Sequence, residues 1–246
     1  MELTRNKLIF AHRGASAYAP ENTLPAFAMA ADMKAFGVEL DVHLTKDGVL
    51  VVTHDDEISR VSDRKGLVRE LTFDELRKLD FSAGFRGGKF GKVQIPTLDE
   101  VYELLAPTGL YVNVEIKSAT PPAIVGKCLE CAKAHGMEEK VLYSSFDHWK
   151  LTDILANDAN AFVAPLYGQE IVMPADYAKL FGAKAIHPFF WQILKHPEIV
   201  GRANELGIRI HPWTVDEPDK IKALCDLNIG AIITNKPDVA LEIANG

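Results

Sequence analysis

Short runs rich in β-branched and aromatic residues alternate with helical patterns along almost the whole chain. Nine such runs are present: residues 7–12, 37–45, 48–55, 110–117, 140–146, 161–167, 183–190, 208–215 and 230–236. Strands that alternate with helices in this way are typical of repeated βα units around a parallel sheet. The pattern therefore predicts an α/β protein.

The dipeptide Asp47-Gly48 joins the second and third runs, and Asp-Gly is a strong signal for a two-residue hairpin turn. These two runs are then antiparallel, and the turn places Asp41 directly opposite His54. Without the return arm of the hairpin, eight runs remain, each followed by a helix candidate. Eight parallel strands in about 250 residues predict a (β/α)8 barrel, with an open doubly wound sheet as the alternative.

One segment, at about residues 56–95, breaks this alternation because it is charged, rich in glycine and shows a single clear helix start at Thr72. We interpret it as a small insertion after the strand 2 hairpin, lying over one edge of the barrel mouth. The first barrel helix begins near Asn22 or Thr23, either of which can cap it. Since the chain has no internal repeats or long linkers, we expect residues 1–246 to form a single domain.

Composition narrows the possible classes of function. The 246 residues are 48% hydrophobic, which is enough to bury a sizeable core. A net charge of −7 and the lack of a Lys/Arg run argue against a nucleic-acid partner. The longest charge-free stretches have 11 residues, whereas a membrane-spanning helix needs about 20 apolar positions. We therefore expect no membrane span. The first residues show no secretory signal, so we expect a cytoplasmic location.

The three cysteines are too few for a disulfide framework. Cys128 and Cys131 form a C-x-x-C pair with His135 four residues later, a spacing that metal ligands or a redox pair can have. However, the pair lies in the middle of a predicted helix, and the sequence shows no fourth ligand nearby. Buried structural thiols are the favoured interpretation.

Polar side chains cluster where the first strands of the predicted barrel end, which is where such a barrel carries its active site. Period-two alternation places Glu39, Asp41 and His43 on one face of strand 2. The other strand ends contribute a further set of polar residues: His12, Arg13, His54, Asp55, Glu115 and Lys117. We expect these side chains to meet in the barrel mouth.

Three carboxylates that converge there, from Glu39, Asp41 and Glu115, would repel one another. A bound cation removes this conflict, and all-oxygen ligands favour Mg²⁺ or Ca²⁺ over zinc. The alternative is a buried ion network in which the acids pair with Arg13 and Lys117. These two basic residues are equally suited to hold an anion beside a metal.

Two histidines, His12 and His54, suit a general acid and a general base, because an unperturbed pKa near 6.5 allows either role around neutral pH. His43 points the same way one step further along the hairpin. Either it supports the site from behind or it is an ordinary solvated residue.

Four motifs together resemble the glycerophosphodiester phosphodiesterase family over essentially the whole chain. They are HRGASAYAPENTLPAF at residues 12–27, GVELDVHLTKDGVLVVTHDD at 37–56, IPTLDEV at 95–101 and VEIK at 114–117. Weaker similarity lies in SSF, WTV and ITNKP. One departure is Asn235, where the family usually has Asp.

The resemblance implies a (β/α)8 barrel with a family-type insertion after the His-Asp pair. It also implies that Glu39, Asp41 and Glu115 bind one divalent cation, Mg²⁺ or Ca²⁺. The implied activity is that of a phosphoric diester hydrolase, which converts a small-molecule glycerophosphodiester to sn-glycerol 3-phosphate and an alcohol.

The same resemblance implies roles for other residues at the predicted mouth. His12 and His54 become the acid and base pair, and Arg13 and Lys117 contact the phosphate. Independently of the resemblance, the position of Trp213 on a late strand makes it a candidate to cover the glycerol carbons, with packing in the core as its alternative role.

Two other functions remain open on the same barrel. A lipid phosphodiesterase would act on lysophospholipid or sphingolipid head groups and would need an exposed apolar entry. A non-catalytic barrel that binds polyol phosphates would have lost a histidine or a metal carboxylate. This sequence has both histidines, His12 and His54, and all three carboxylates.

Overall fold

The computed structural model describes residues 8–86 and 90–246. These residues contain nine β-strands: β1 (Leu8–His12), β2 (Gly37–Leu44), β3 (Leu50–Val52), β4 (Tyr111–Ile116), β5 (Val141–Ser145), β6 (Phe162–Tyr167), β7 (Ala185–Pro188), β8 (Arg209–Ile210) and β9 (Ala231–Thr234). Each strand falls within one of the nine runs predicted from the sequence. All are parallel to their neighbours except β3, which pairs with β2 in the antiparallel sense.

The sheet is nearly closed, because the first strand pairs with both the second and the last, and among the described residues only β8 and β9 lack a strand ladder between them. The order is β8-β7-β6-β5-β4-β2-β1-β9. Across the remaining gap, the N–H groups of Gly230 and Ile233 donate to the carbonyls of Ile210 and Pro212. An open doubly wound sheet would leave its edge strands apart, so the predicted (β/α)8 barrel is confirmed.

Helices follow the strands along the chain. In the described residues they are α1 (Leu24–Asp32), α2 (Phe73–Leu76), α3 (Leu98–Leu105), α4 (Ile124–Ala134), α5 (His148–Asn157), α6 (Pro174–Leu180), α7 (Phe190–Lys195), α8 (Glu198–Leu206), α9 (Pro218–Cys225) and α10 (Pro237–Asn245). Cys128 and Cys131 are buried on α4, as predicted. None of the helices that the structure describes is long and apolar enough to cross a membrane.

The hairpin between β2 and β3 differs from the predicted one by one residue. Leu44 pairs with Leu50, and the N–H of Thr45 donates to the carbonyl of Val49, so residues 46–48 form a three-residue loop in place of a two-residue turn. Gly48 has φ of 79°, the left-handed conformation that closes such a loop with a bulge. Glycine adopts this conformation without strain.

Contacts outside the strands explain the longer loop. The Asp47 carboxylate accepts a hydrogen bond from the Thr45 hydroxyl at 2.6 Å and another from the N–H of Phe73 at 3.0 Å. In the resulting register, the carbonyl of Asp41 accepts from the N–H of Thr53. The predicted direct pairing of Asp41 with His54 is therefore wrong by one position.

Between β3 and α3 the chain forms α2 and two 3₁₀ turns, Ile58–Arg60 and Val68–Glu70. This segment has its own small apolar cluster, which includes Val51 of β3 and Ile95. Residues 87–89 of the segment lie outside the described part of the chain. The shared cluster attaches the segment to the return arm of the hairpin.

Two buried histidines lie on adjacent strand ends within the barrel. His187 Nε2 and His211 Nδ1 share a hydrogen bond of 3.0 Å, and neither ring is appreciably exposed. The His211 ring stacks near the rings of Phe10 and Phe162. Burial lowers the pKa of His211 to about 3 and that of His187 well below its ordinary value. Both rings are therefore neutral in the folded protein near neutral pH.

This pair predicts a loss of stability in mild acid. The unfolded chain binds protons at these histidines below about pH 6.5, whereas the folded chain does not, so the free energy of unfolding falls as the pH decreases. In urea titrations, the fall between about pH 7 and about pH 5.5 should be smaller in His211→Phe than in the wild type. The difference should be about 1 kcal/mol.

His196→Gln is the matched control, because the His196 ring is 38% exposed. The pH dependence of His211→Phe is compared with that of this variant as well as with that of the wild type. If the free energy of unfolding fell equally with pH in His211→Phe and in the wild type, the buried pair would not resist protonation.

Candidate active site

Parallel pairing places residues from neighbouring strands side by side at the barrel mouth. His12, at the end of β1, is the register partner of Glu39 on β2. Asp41, also on β2, is the register partner of Glu115 on β4. Residues two apart on a strand share a face, so Glu39 and Asp41 point the same way. Strand register thus brings together four residues predicted from the sequence.

The three carboxylates form a tight buried cluster. One carboxylate oxygen from each of Glu39, Asp41 and Glu115 lies within 4.8 Å of the other two. Burial, reinforced by the charges of Asp41 and Glu115, raises the pKa of Glu39 well above its ordinary value. Burial also raises the pKa of Glu115 to about 7, and Asp41 adds to this shift. The protein alone therefore stabilises the fully ionised cluster poorly.

Two basic side chains lie against the cluster. Lys117 Nζ is 2.6 Å from Glu115 Oε1 and 3.1 Å from Asp41 Oδ1. Arg13 Nε is 3.5 Å from Asp41 Oδ2, while its Nη1 donates to Glu21 at 2.8 Å. Burial opposes the charge on Asp41, but Lys117 and Arg13 outweigh it and hold its pKa below the ordinary value. The ion network considered from the sequence is present.

This network does not remove the case for a metal. The side chains of Arg13 and Lys117 pair with Asp41, Glu115 and Glu21, whereas Glu39 receives a hydrogen bond from the backbone N–H of Arg13. The raised pKa of Glu39 shows that negative charge there stays poorly compensated. Clustered carboxylate oxygens are the donors that hard divalent cations prefer. The donor set therefore fits Mg²⁺ or Ca²⁺.

The turn after β1 has a backbone conformation that aims one more donor at the cluster. Arg13 has φ of 55°, which is uncommon for a residue with a side chain, and its N–H donates to Glu39 Oε2 at 3.0 Å. Gly14 follows with φ of 79°, and a Cβ there would lie 2.7 Å from Ala26. The His-Arg-Gly sequence thus needs glycine at its third position.

His12 is held by a loop from the far end of the chain. Its Nδ1–H donates to Asn235 Oδ1 at 2.7 Å, and the Ser16 hydroxyl donates to the same oxygen. The Asn235 amide nitrogen donates to Asp216 at 2.6 Å, which fixes the orientation of the amide. Burial lowers the pKa of His12 to about 4. The ring is therefore neutral, with Nε2 3.8 Å from Glu39.

His54 is held by a chain of charged groups that reaches into the inserted segment. Its Nδ1–H donates to Asp55 Oδ1 at 2.6 Å. Arg60 donates from Nε to the other Asp55 oxygen at 2.6 Å and from its two Nη atoms to Glu21 at 2.7 and 2.8 Å. Glu21 also accepts from Arg13. Arg60 therefore links the partner of His54 to the partner of Arg13.

Several supporting residues were not given these roles from the sequence. Asn22, read there as a possible helix cap, is buried and donates to Asp41 Oδ2 at 2.8 Å, while Thr23 occupies the cap position. His43 is buried and donates to the carbonyl of His54 at 3.1 Å, so it supports the site and is not a solvated residue. Two features of the sequence pointed to such supporting residues: Asn22 lies within the first family motif, and Asn235 departs from the usual family residue.

The site residues surround a small cavity of about 70 Å³. Its lining includes most of the predicted set: His12, Arg13, Glu39, His54, Glu115 and Trp213. Asp41 and Lys117 do not line it but contact groups that do. Phe146 and Trp213 meet edge to face with centroids 5.6 Å apart and give the cavity an apolar wall. The indole N–H of Trp213 donates to the carbonyl of His187, which fixes the ring.

Comparisons of the sequence with protein families and with known proteins all lead to the same family. The model of the glycerophosphoryl diester phosphodiesterase family matches residues 12–239. A glycerophosphodiester phosphodiesterase from Caldanaerobacter subterraneus subsp. tengcongensis is 38% identical over 96% of this chain and 97% of its own length. One from Bacillus altitudinis is 37% identical with the same coverage.

A solved structure shows the same fold. The phosphodiesterase from Oleispira antarctica, in complex with the product sn-glycerol-3-phosphate, is 23% identical and has a TM-score of 0.88. The match covers 98% of each chain.

The crowded carboxylates predict an unusual effect of one substitution. Glu39→Gln should raise the free energy of unfolding in EDTA by on the order of 1 kcal/mol, because it removes a buried acid with a raised pKa. The same variant should lose the stabilisation that Mg²⁺ or Ca²⁺ gives the wild type. Thermal melts with and without each ion measure both effects.

Glu103→Gln, on the exposed side of α3, is the control and should change neither quantity. If Glu39→Gln still responded to the cations as the wild type does, Glu39 would not be a ligand.

Proposed function

This chain belongs to the glycerophosphoryl diester phosphodiesterase family, and from that membership we propose that it hydrolyses glycerophosphodiesters to sn-glycerol 3-phosphate and an alcohol. The reaction class is phosphoric diester hydrolysis. One observation carries the proposal: at the barrel mouth, a cluster of carboxylates, two imidazoles and a guanidinium surround one cavity. We further propose that residues 1–246 act as a single catalytic domain.

Glu39, Asp41 and Glu115 would hold one divalent cation, Mg²⁺ or Ca²⁺. Their mutual proximity and their burial support this assignment, since a cation relieves the repulsion that the protein leaves in place. When bound, the cation neutralises negative charge on the phosphoryl oxygens.

His12 and His54 act as the acid and base pair in this proposal. Both rings have Nδ1 engaged, by Asn235 and Asp55 respectively, so Nε2 of each is the atom left for proton transfer. The ring that acts as base is neutral and accepts the proton of the attacking oxygen at Nε2. The ring that acts as acid carries protons on both nitrogens and gives the one on Nε2 to the departing alkoxide. Fixed tautomers let this happen without reorientation of either ring.

Arg13 and Lys117 would neutralise the phosphodiester and the charge that grows on it in the transition state. Both already lie within 3.5 Å of cluster carboxylates, so they are desolvated and positioned before substrate binds. Trp213, with Phe146, would cover the glycerol carbons. Support for this comes from the apolar wall that the two rings form in the cavity.

The inserted segment, at about residues 56–95, would brace the mouth through Arg60. Arg60 contacts both Asp55 and Glu21, so its guanidinium sets the positions of the groups that hold His54 and Arg13. In this role the segment orients the site from its edge.

The two alternatives make different demands on this site. A lipid phosphodiesterase would use the same residues on a substrate with an acyl chain, and exposed Phe146 and Phe189 beside Trp213 are the apolar surface it would need. A barrel that only binds polyol phosphates would not need His12 and His54 held with Nε2 available. The held histidines favour catalysis.

The activity should depend on a divalent cation. After EDTA treatment, release of glycerol 3-phosphate from glycerophosphocholine, glycerophosphoethanolamine and glycerophosphoglycerol should stop, and Mg²⁺ or Ca²⁺ should restore it. Coupled detection of glycerol 3-phosphate measures the release and ranks the leaving groups. Absence of release with every ion and all three diesters would contradict the proposal and favour the two alternatives.

Loss of either imidazole should reduce kcat by about 10²- to 10⁴-fold, the usual contribution of a positioned acid or base. The variants are His12→Asn and His54→Asn, with thermal melts to show that each folds. His196→Gln, which changes a histidine outside the cavity, is the control and should keep full activity. A His12→Asn or His54→Asn protein with wild-type kcat would remove that residue from the mechanism.

A further inference from the structure

A second group of metal-ligating side chains lies outside the cavity, between α3 and α4. It consists of Asp99, Cys131 and His135. Asp99 is in the first turn of α3, and Cys131 and His135 are one turn apart at the end of α4. One ligand atom from each residue lies within 4.8 Å of the other two. None of the three lines the active-site cavity.

The tertiary structure brings a further metal-ligating residue to the C-x-x-C motif, which the sequence did not show. The motif suggested Cys128 and Cys131 as partners, but the structure groups Cys131 with His135 and with Asp99, which is 32 positions earlier in the chain. Residues at i and i+4 of a helix face the same side, so the thiol and the imidazole converge. The neighbouring helix adds the carboxylate.

The group is held in place on one side and open on the other. His135 Nε2 donates to Asp99 Oδ1 at 3.1 Å, and the Tyr102 ring lies 5.8 Å from the imidazole. Cys131 is buried, His135 is partly exposed and Asp99 is exposed. An ion can therefore enter from solvent and keep a water molecule on its open side.

The donor types select the metal. Thiolate and imidazole are the ligands that Zn²⁺ prefers, whereas Mg²⁺ and Ca²⁺ prefer oxygen alone. Three protein ligands and one water complete the four-coordinate geometry of zinc. This donor set is distinct from the all-carboxylate cluster of Glu39, Asp41 and Glu115 at the barrel mouth.

We propose that Asp99, Cys131 and His135 bind a zinc ion that links the start of α3 to the end of α4. Binding replaces the S–H bond of Cys131 with a Zn–S bond and releases the thiol proton to solvent. The His135 ring gives up its Nε2 proton to solvent and takes one at Nδ1, so the hydrogen bond from Nε2 to Asp99 is replaced by one metal bond from each residue. Because α3 directly follows the inserted segment, the zinc ties the helix at that boundary to the next barrel helix.

Cobalt titration of the full chain tests this proposal with a readout that does not depend on activity. The protein is reduced with a phosphine, kept in excess Mg²⁺, and titrated with Co²⁺. A thiolate ligand gives Co²⁺ a sulfur-to-metal charge-transfer absorption that carboxylates cannot produce. We expect this band to saturate at one equivalent of Co²⁺ and to disappear when Zn²⁺ is added.

Variants assign the band to its ligands. Cys131→Ser should abolish it, and His135→Gln should weaken Co²⁺ binding by about ten-fold or more. Cys225→Ser, which removes a thiol on α9, is the matched control and should keep the band. Glu39→Gln should also keep it, since that residue belongs to the other site.

Zn²⁺ should also raise the melting temperature of the wild type and of Cys225→Ser, but not that of Cys131→Ser. The proposal is overturned if no charge-transfer band appears, or if the band survives in Cys131→Ser. Neither result would bear on glycerophosphodiester hydrolysis, because the two sites share no residue.

Discussion

Three buried carboxylates repel one another at the barrel mouth, and this repulsion determines which charged groups and ligands the site can hold. Glu39, Asp41 and Glu115 are brought together by the register of β2 and β4, a feature of the barrel itself. Burial makes their charges costly, and the raised pKa values of Glu39 and Glu115 express that cost. A divalent cation would balance this charge, and the oxygen donors of the cluster fit such an ion.

The groups around the cluster are oriented from loops, not from strands. Asn235 and Asp216 hold His12 from the last part of the chain, whereas Asp55 and Arg60 hold His54 from the inserted segment. Strands fix where the acids lie, and loops fix which way the imidazoles face. This division is common in (β/α)8 barrels, since the strand ends are rigid and the loops vary.

Two kinds of donor are also kept apart in this chain. The mouth carries three carboxylates, the donors that hard cations prefer, whereas the group between α3 and α4 combines a thiol, an imidazole and a carboxylate. Each helix or strand that supplies these donors is fixed by packing in the main core, which includes Tyr102 of α3 and Cys128 of α4. If both groups bind metals as we propose, the difference in donor type lets each select a different ion.

The sequence alone predicts the nine strands, the barrel and the polar residues that meet at the strand ends, because hydrophobic periodicity and side-chain alternation are local properties. It could not determine the hairpin register, since Asp47 is engaged by Phe73 from the inserted segment. Nor could it pair His12 with Asn235, 223 positions away. These contacts depend on how loops that are distant in the chain pack against one another, and that packing arises only in the folded protein.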